Sequence, residues 1–385
     1  MTLFQRRFLV VCTLALLAVA GTAWADAVNV VCPAGAPGAY PTITAALAYL
    51  STLPPYNAHR IDVSGTCSEF LKVQRFDDLQ IQGPATLQPG AGPAPHGVVM
   101  LIINARVTLR NMTLRGAPDL GVVQVGDHAN VRVEGCTVEN GRGGIGVGGQ
   151  SMVSVVASTI QNNSINQISV NGPAAVYIGM TDNDTVPTVI KGGNLGVNVN
   201  PGGIANIWGA TTIKESVVGV QSNGGNVFFC CNAPDQRKII DNVIGIRLYA
   251  GTLNLNGNVL VENNRWAGIQ LRGGTATVNW IGGQTIRRNG TAGDLRTGGI
   301  LVQTGSSLRL LAAEVSENYG SGIVVQGGSS AVLSGTTVRN NALRGVEVIA
   351  ASTAELVRTT ISGNASGDLF CAPNSYAFGD KAGIG

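Results

Sequence analysis

The stretch VRNNALRGVEV, residues 338–348, contains the phrase that decides the fold of this chain. Two asparagines follow a short apolar run, and the chain then resumes with glycine and alternating apolar and polar residues. The same phrase returns as VENNRWAGIQL at 261–271 and VSENYGSGIVV at 315–325, and more loosely elsewhere. A phrase that returns along a chain indicates a repeat architecture before it indicates a function.

The chain from about residue 107 divides into units that each restart on a short apolar strand. The restart strands begin near residues 107, 131, 153, 176, 206, 227, 253, 277, 308, 332 and 355. Each unit holds three short β-like runs joined by glycine and asparagine, and such short runs can bury an apolar face only by stacking on their neighbours. The pattern predicts an all-β fold, a parallel β-helix of about eleven three-strand coils.

The repeated asparagines are predicted to be scaffold residues rather than site residues. The bend between the second and third strands needs a left-handed backbone residue, which asparagine tolerates well. Identical residues in successive coils lie about 4.8 Å apart, so their amides can hydrogen-bond in a ladder. The predicted members of the ladder are Asn163, Asn264, Asn289, Asn318, Asn341 and Asn364.

The bulk composition excludes several classes of protein. The 385 residues include 53 glycines and only 12% charged residues, which excludes a charge-rich disordered chain. The formal charge is +3, and it falls to +1 without Arg6 and Arg7, which lie in the segment we expect to be removed. Bulk charge therefore predicts no nucleic-acid partner.

The N-terminus is typical of an export signal. A basic start, MTLFQRR, precedes an apolar run at 8–20, and Ala23-Trp24-Ala25 forms an A-x-A cleavage site before Asp26. The apolar run is shorter than the roughly 20 residues that a bilayer span needs, so we expect no membrane span; a retained anchor is the alternative. These features predict a secreted or periplasmic protein, in which disulfides can form.

Six cysteines follow the export signal: Cys32, Cys67, Cys136, Cys230, Cys231 and Cys371. Cys32 and Cys67 flank the first structural unit and are predicted to pair, which would stabilise the fold by about 4 kcal/mol at most. Cys230 and Cys231 could form a vicinal bridge, or one of them could point inward. A zinc site is possible on cysteine count alone, but no C-x₂-C pair or nearby histidine supports it.

The chain is expected to have four segments: 1–25 as signal peptide, 26–75 as N-terminal cap and first coil, 76–372 as parallel β-helix, and 373–385 as a loose C-terminal tail. Within the cap, YPTITAALAYL (40–50) has Pro41 at a helix start. A helix there would cover the exposed core and unpaired backbone at the end of the stack.

The repeat and its entrance resemble the right-handed parallel β-helix proteins of the pectate-lyase-like superfamily, which share the pectin lyase fold. AYPTITAALAYL followed by RIDVSGTCSE is similar to the superfamily's N-terminal cap. Thr42, Ile43, Gly65 and Glu69 match its Thr-Ile helix and its Gly-x-x-x-Glu phrase. The resemblance covers nearly all of the mature chain and implies a right-handed coil. The catalytic phrases of the pectin methylesterases, pectate lyases, polygalacturonases and alginate epimerases are missing, so whether the protein is an enzyme stays open.

In that superfamily the substrate lies along the restart-strand face, which makes insertions beside this face candidate site loops. TDNDTVP (181–187) and NAPDQRK (232–238) both follow restart strands, two coils and therefore about 10 Å apart. The predicted catalytic residues are Asp182, Asp184, Asp235, Arg237 and Lys238. The predicted substrate-binding residues are Tyr177, Trp208, Phe228 and Asn254.

Carboxylates beside cations, over exposed aromatic rings, suit a sugar chain. A carboxylate can act as an acid, a base or a calcium ligand, so calcium is the candidate cofactor. The sequence thus predicts a protein that binds or cleaves an extracellular polysaccharide. Uronate-containing polysaccharides are among the candidates. The alternative is a non-catalytic surface, adhesive or matrix β-helix, whose loops are solvated and keep a sheet edge from aggregating.

Overall fold

The strands of this chain wind as a parallel solenoid around an apolar core. The computed structural model describes residues 26–33, 36–54, 57–179, 186–230, 236–278, 283–294, 296–380 and 383–384. Over these residues the strands form about 13 turns, and the pairings between turns are parallel, as in Asn130–Glu134 with Met152–Val156. Each turn contributes to three sheets, called sheet 1, sheet 2 and sheet 3 in chain order, and the restart strands form sheet 1.

The strand bounds follow from this winding. Sheet 1 contains Asp26–Cys32, Asn130–Glu134, Met152–Val156, Ala175–Ile178, Ile204–Ile207, Thr275–Val278, Ser307–Leu311, Ser330–Ser334, Thr353–Val357 and Tyr376–Gly379. Sheet 2 contains Thr137–Glu139, Thr159–Gln161, Thr188–Lys191, Thr211–Lys214, Arg237–Ile240, Val259–Glu262, Thr285–Arg287, Glu314–Ser316, Thr337–Arg339 and Thr360–Ser362. Sheet 3 contains Leu71–Gln74, Val98–Ile103, Gly121–Gly126, Gly143–Val147, Asn166–Val170, Leu195–Val199, Ala267–Arg272, Gly298–Gln303, Ser321–Val325, Val346–Val348 and Leu369–Cys371.

Longer strands pass through a bend and belong to two sheets. His59–Ser68, Leu79–Gln88 and Arg106–Arg115 run from sheet 1 into sheet 2, and Val218–Phe229 and Ile244–Leu255 run from sheet 3 into sheet 1. The early strands of this kind add turns before residue 107, where the sequence showed no clear restart. The predicted number of about eleven coils is therefore slightly low.

The alternation of side chains along each strand builds the core. Val131, Val153 and Val176 occupy one inward column in successive turns and are fully buried. The residues between inward positions point to solvent, because side chains alternate across a strand. The short strands of one turn therefore bury their apolar face only together with the turns above and below.

The bend from sheet 2 to sheet 3 carries the predicted asparagine ladder, and all six predicted members are buried. Asn341 is typical of them. Its Nδ2 donates to Oδ1 of Asn364 at 2.8 Å and to the carbonyl of Val315 at 3.3 Å. Its Oδ1 accepts from Nδ2 of Asn318 at 2.8 Å. The scaffold role of these asparagines is confirmed.

The left-handed residue of this bend is the one before each ladder asparagine. Asn340 has φ 54° and Asn263 has φ 55°, whereas Asn341 and Asn264 do not have positive φ. Asn340 and Asn263 are exposed, because the residue that turns the chain points its side chain outward while the ladder residue must point inward. The predicted left-handed backbone at the ladder asparagines is therefore wrong by one position.

The glycine that follows the asparagines in the repeated phrase leaves room for the ladder. A Cβ on Gly322 would lie 2.8 Å from Nδ2 of Asn341 and 2.7 Å from the carbonyl oxygen of Gly345. A Cβ on Gly345 would in turn lie 2.6 Å from Nδ2 of Asn364. Close approach of backbone and amide thus explains why glycine recurs in the phrase.

The other two bends also bury hydrogen-bonding side chains. Between sheets 3 and 1, successive backbone N–H groups donate to the serine hydroxyl of the next turn, at 3.1 to 3.4 Å. The serines of this ladder are Ser306, Ser329, Ser352 and Ser375. Between sheets 1 and 2, Cys136 is buried, and desolvation raises the pKa of its thiol to about 11. The bends are therefore tied by side chains as well as by the strand ladders.

The N-terminal cap is built around one short helix, Ile43–Leu50. Glu69 accepts from the backbone N–H of Ile43 at 2.8 Å and of Thr44 at 2.9 Å, at the helix N-terminus. The Cys32–Cys67 disulfide is confirmed. In the described part of the chain no helix has the length and apolarity to cross a membrane, and the predicted signal peptide, 1–25, lies outside the described residues.

The described part of the segment 373–385, which was predicted to be a loose tail, contains a strand. Tyr376–Gly379 pairs in parallel with Thr353–Val357 and so adds a last strand to sheet 1. Ile384 forms a bridge with Ile361. The sequence signal was weak because Tyr376 and Phe378 are exposed, so the strand lacks the apolar alternation of earlier turns.

Candidate functional site

The outer face of sheet 1 carries most of the predicted substrate-binding residues in one line. Strand register places Tyr177 beside Asn206, Asn206 beside Phe228, and Phe228 beside Asn254. Ser154 continues the line on the other side of Tyr177 and is buried. We call these five residues the sheet-1 line. Neighbouring members are about 4.8 Å apart, so the two rings lie about 10 Å apart along the axis.

Trp208 lies beside the sheet-1 line rather than within it. It follows the strand Ile204–Ile207 and is half-buried. Its indole Nε1 is buried without a hydrogen-bond acceptor among the described residues, and its carbonyl accepts from the Thr211 hydroxyl at 2.7 Å. Tyr177 and Phe228 are also half-buried, so each of the three rings presents only part of its surface to a ligand.

An ion-paired cluster lies at the N-terminal end of the same face. Arg110 donates to Oε1 of Glu134 at 2.6 Å, and Arg132 donates to its Oε2 at 2.8 Å. Desolvation alone would raise the pKa of Glu134, but the hydrogen bonds and charges of the two arginines outweigh it and lower the pKa below its ordinary value. Glu134 is thus held as a carboxylate. In this state it can accept hydrogen bonds but cannot act as a proton donor.

Arg237, a predicted catalytic residue, is fully buried. Its Nη1 donates to the carbonyl of Cys230 at 2.6 Å, and its Nε and Nη2 donate to the carbonyl of Asn258 at 3.3 and 3.2 Å. Alternation along Arg237–Ile240 turns Arg237 to the same side as the buried Ile239. The predicted placement of this guanidinium in an open groove is therefore corrected: it ties the carbonyls of a bend together.

Lys238 points outward, but from sheet 2. It pairs with Thr212 and Leu260 on the strands of the neighbouring turns. The structure therefore does not place Lys238 on the strand face that carries the aromatic rings. The prediction took both insertions to lie wholly on the sheet-1 side, whereas residues 237 and 238 already belong to the next sheet.

The three predicted catalytic acids, Asp182, Asp184 and Asp235, lie outside the described residues, and so does Cys231. Cys230 is disulfide-bonded. Among the described residues, the one group of metal-ligating side chains close enough to share an ion is Cys32, Cys67 and Glu69. Both of its sulfurs are already in the disulfide and Glu69 caps the helix, so these residues do not fit a metal.

Sequence reasoning missed several residues that the register brings together. Ser154 and Asn206 complete the sheet-1 line, and their signal was the outward position in each restart strand. Asn242 belongs to the ladder, since its Nδ2 donates to Oδ1 of Asn264 at 3.0 Å. Its signal was Asp241-Asn242 followed by Gly245, which varies the repeated phrase by one residue.

The comparisons with known proteins agree with the observed coil. Residues 235–376 match the family model described as "Right handed beta helix region". No curated protein matches the chain. The matched segment covers the C-terminal turns, and the same three sheets and buried bends continue into the turns before it. The resemblance noted in the sequence is confirmed at the level of fold, without any particular enzyme family: the chain is a right-handed parallel β-helix protein.

Proposed function

We propose that this protein binds an extended polysaccharide outside the cytoplasm, along the sheet-1 line. The observation that carries the proposal is the register of Tyr177, Asn206, Phe228 and Asn254 in four successive turns. Two rings alternate with two amides along the molecular axis. Rings can stack on sugar faces, and amides can donate to and accept from sugar hydroxyls.

The geometry favours a polymer over a small ligand. Among the described residues these contacts are spaced about 4.8 Å apart along a strand face, whereas small-molecule sites are concave. A linear chain lying along the row can contact several turns at once, and such contacts act together as one multivalent interaction. The Cys32–Cys67 disulfide is consistent with an oxidising compartment, which supports the extracytoplasmic part of the proposal.

Cleavage of the polymer remains a prediction that depends on Asp182, Asp184 and Asp235. Those residues are close in sequence to the sheet-1 line, since they follow the strands of Tyr177 and Phe228. A carboxylate beside a bound sugar chain can act as an acid or as a calcium ligand. The present proposal is limited to binding, which requires none of these three carboxylates.

The test is binding of the purified protein to a panel of neutral and acidic polysaccharides, measured by affinity electrophoresis. Tyr177→Leu and Phe228→Leu keep an apolar side chain but remove the flat ring. Each should weaken binding about three- to tenfold, because stacking on the sugar is lost. Absorbance of unsaturated products in the same samples reports any lyase activity.

Tyr319→Leu is the matched control, since Tyr319 is an exposed tyrosine at the bend between sheets 2 and 3, away from the sheet-1 line. It should leave affinity unchanged. If both line variants bind as tightly as the parent, the sheet-1 line is not the binding site. If the parent binds no polysaccharide in the panel, the proposal fails and the non-catalytic structural role becomes the better one.

A further inference from the structure

The outer face of sheet 3 carries positive charge without negative charge over eight consecutive strands. Its consecutive strands from Gly121–Gly126 to Gly298–Gln303 contain no aspartate or glutamate. They do contain Arg247 and Arg272. Nearer the C-terminus of the same sheet, Arg344 pairs with Glu347 at 2.9 Å, whereas no ion pair involves Arg247 or Arg272 within the described part of the chain.

Both of these arginines lie against the same aromatic ring. The guanidinium carbon of Arg247 is 5.7 Å from the ring centroid of Tyr249, and that of Arg272 is 5.9 Å from it. Tyr249 is itself 40% exposed, and Nη1 of Arg247 donates to its hydroxyl at 3.3 Å. Two positive groups that share one ring repel each other, so an anion between or above them is favoured.

A row of amides continues from the arginines in both directions. Towards the C-terminus, Arg247 donates to Oε1 of Gln270 at 3.0 Å, and Gln270 donates to Oε1 of Gln303 at 3.0 Å. Towards the N-terminus, Asn223 donates to Oδ1 of Asn200 at 3.0 Å. A primary amide has two N–H groups and two lone pairs. Gln270 is itself buried, so the capacity for hydroxyl groups of a ligand lies with the half-buried amides of Gln303, Asn223 and Asn200.

The row leads towards a concavity on the same face. Gly146 stands in register with Gln124 and Ser169, and all three line an open space of about 340 Å³. Asn166 lines this space, and its Oδ1 is buried with no donor among the described residues. The recess is therefore lined by amide side chains as well as by glycines.

We propose that this face of sheet 3 binds an acidic polysaccharide. Arg247 and Arg272 hold a carboxylate or sulfate of the chain beside Tyr249, and the amide row binds its hydroxyl groups. A guanidinium presents a fork of donors that fits either anion. A nucleic acid fits less well, because binding to its closely spaced phosphates depends on many cationic contacts, and these strands carry only the two arginines.

Dextran, carboxymethyl-dextran and dextran sulfate test the proposal, because they share one backbone and differ in charge. The parent protein should bind at least one acidic polymer more tightly than dextran, and the tighter of the two identifies the anion. Arg247→Gln and Arg272→Gln keep a hydrogen-bonding side chain and remove the charge. Each should bind that acidic polymer about tenfold more weakly, and salt should reduce the difference between parent and variant.

Arg309→Gln is the matched control, since it removes an exposed arginine from sheet 1. It should change the affinity by less than about twofold. An unchanged thermal unfolding midpoint establishes that each variant is folded. Equal affinity of the parent for all three polymers, or an equal loss in all three variants, would overturn the proposal. Tighter binding of a single-stranded oligonucleotide than of either acidic dextran would also overturn it, in favour of nucleic acid.

Discussion

At the scale of single residues, Asn340 and Asn341 have different roles in the same bend. Asn340 takes the left-handed conformation with φ 54° and is exposed. Asn341 is buried and joins its neighbours in adjacent turns through its amide. The repeat alone could not separate these roles, because both positions are occupied by asparagine and both suit a bend.

We predict that replacing Asn341 is far more costly than replacing Asn340. Asn341→Val removes the acceptor of Asn318 and the donor to Asn364 and leaves buried polar groups unpaired. The free energy of unfolding should fall by about 3 kcal/mol. Asn340→Gly keeps a residue that adopts positive φ readily, so the change should be within about 0.5 kcal/mol. Urea unfolding of both variants measures the difference, and similar losses would show that the ladder amide is not the dominant contribution.

At the scale of elements, the cap shows why two sequence phrases that lie apart occur together. Gly65 has φ 80°, and a Cβ on it would overlap the carbonyl oxygen of Cys32. The strand can therefore continue close to the first strand, and Glu69 then reaches the N-terminus of the helix. The superfamily resemblance at Gly65 and Glu69 thus has a structural explanation in this chain and requires no catalytic role.

The carboxylate of Glu69 should contribute measurably to the stability of the cap. Glu69→Gln keeps the size of the side chain but replaces one acceptor oxygen with a donor and removes a negative charge from the helix N-terminus. We expect a loss of about 1 kcal/mol in unfolding free energy. Lys72→Gln, a change on the exposed side of the next strand, serves as the control and should have almost no effect. Equal stability of the two variants would contradict the capping role.

The same scale shows what sequence reasoning could and could not supply for the site. Parity along restart strands was enough to point Tyr177 and Phe228 outward, because alternation is a local property. The position of Arg237 was not available in this way. It depends on where a strand of sheet 2 begins after an insertion, and one residue of register decides whether the guanidinium faces solvent or the interior.

At the scale of the whole molecule, stability is distributed along the axis. Each turn contacts only the turns above and below it, so every turn needs a similar sequence pattern. The pattern is weak in any single turn, but its repetition along the chain made the fold predictable. The number of turns was less predictable, because the early turns use long strands that pass through bends and lack the asparagine phrase. The C-terminal strand, Tyr376–Gly379, was missed for lack of apolar alternation.

Hydrogen exchange should therefore be slowest in the middle of the stack. The amides of Val259–Glu262 and Ala267–Arg272 have a paired turn on both sides and lie beside the ladder of Asn242 to Asn364. Those of Leu369–Cys371 and Tyr376–Gly379 belong to the last turn. We expect exchange in the last turn to be faster by about tenfold or more. Equal protection along the chain would indicate one cooperative unit instead of nearest-neighbour stability.

The interruption of the asparagine column gives the molecule an uneven mechanical strength. Between Asn163 and Asn242 the column holds Gly193 and Ser216 in the place of asparagine. There the Gln167 amide and the Ser216 hydroxyl both donate to the carbonyl of Gly192, each at 2.9 Å. Tension along the axis, such as a tethered polymer exerts, passes through every turn in series. The strand ladders still join this turn to its neighbours, but its side chains in the column share one acceptor, so we expect it to yield before the turns from Asn242 to Asn364.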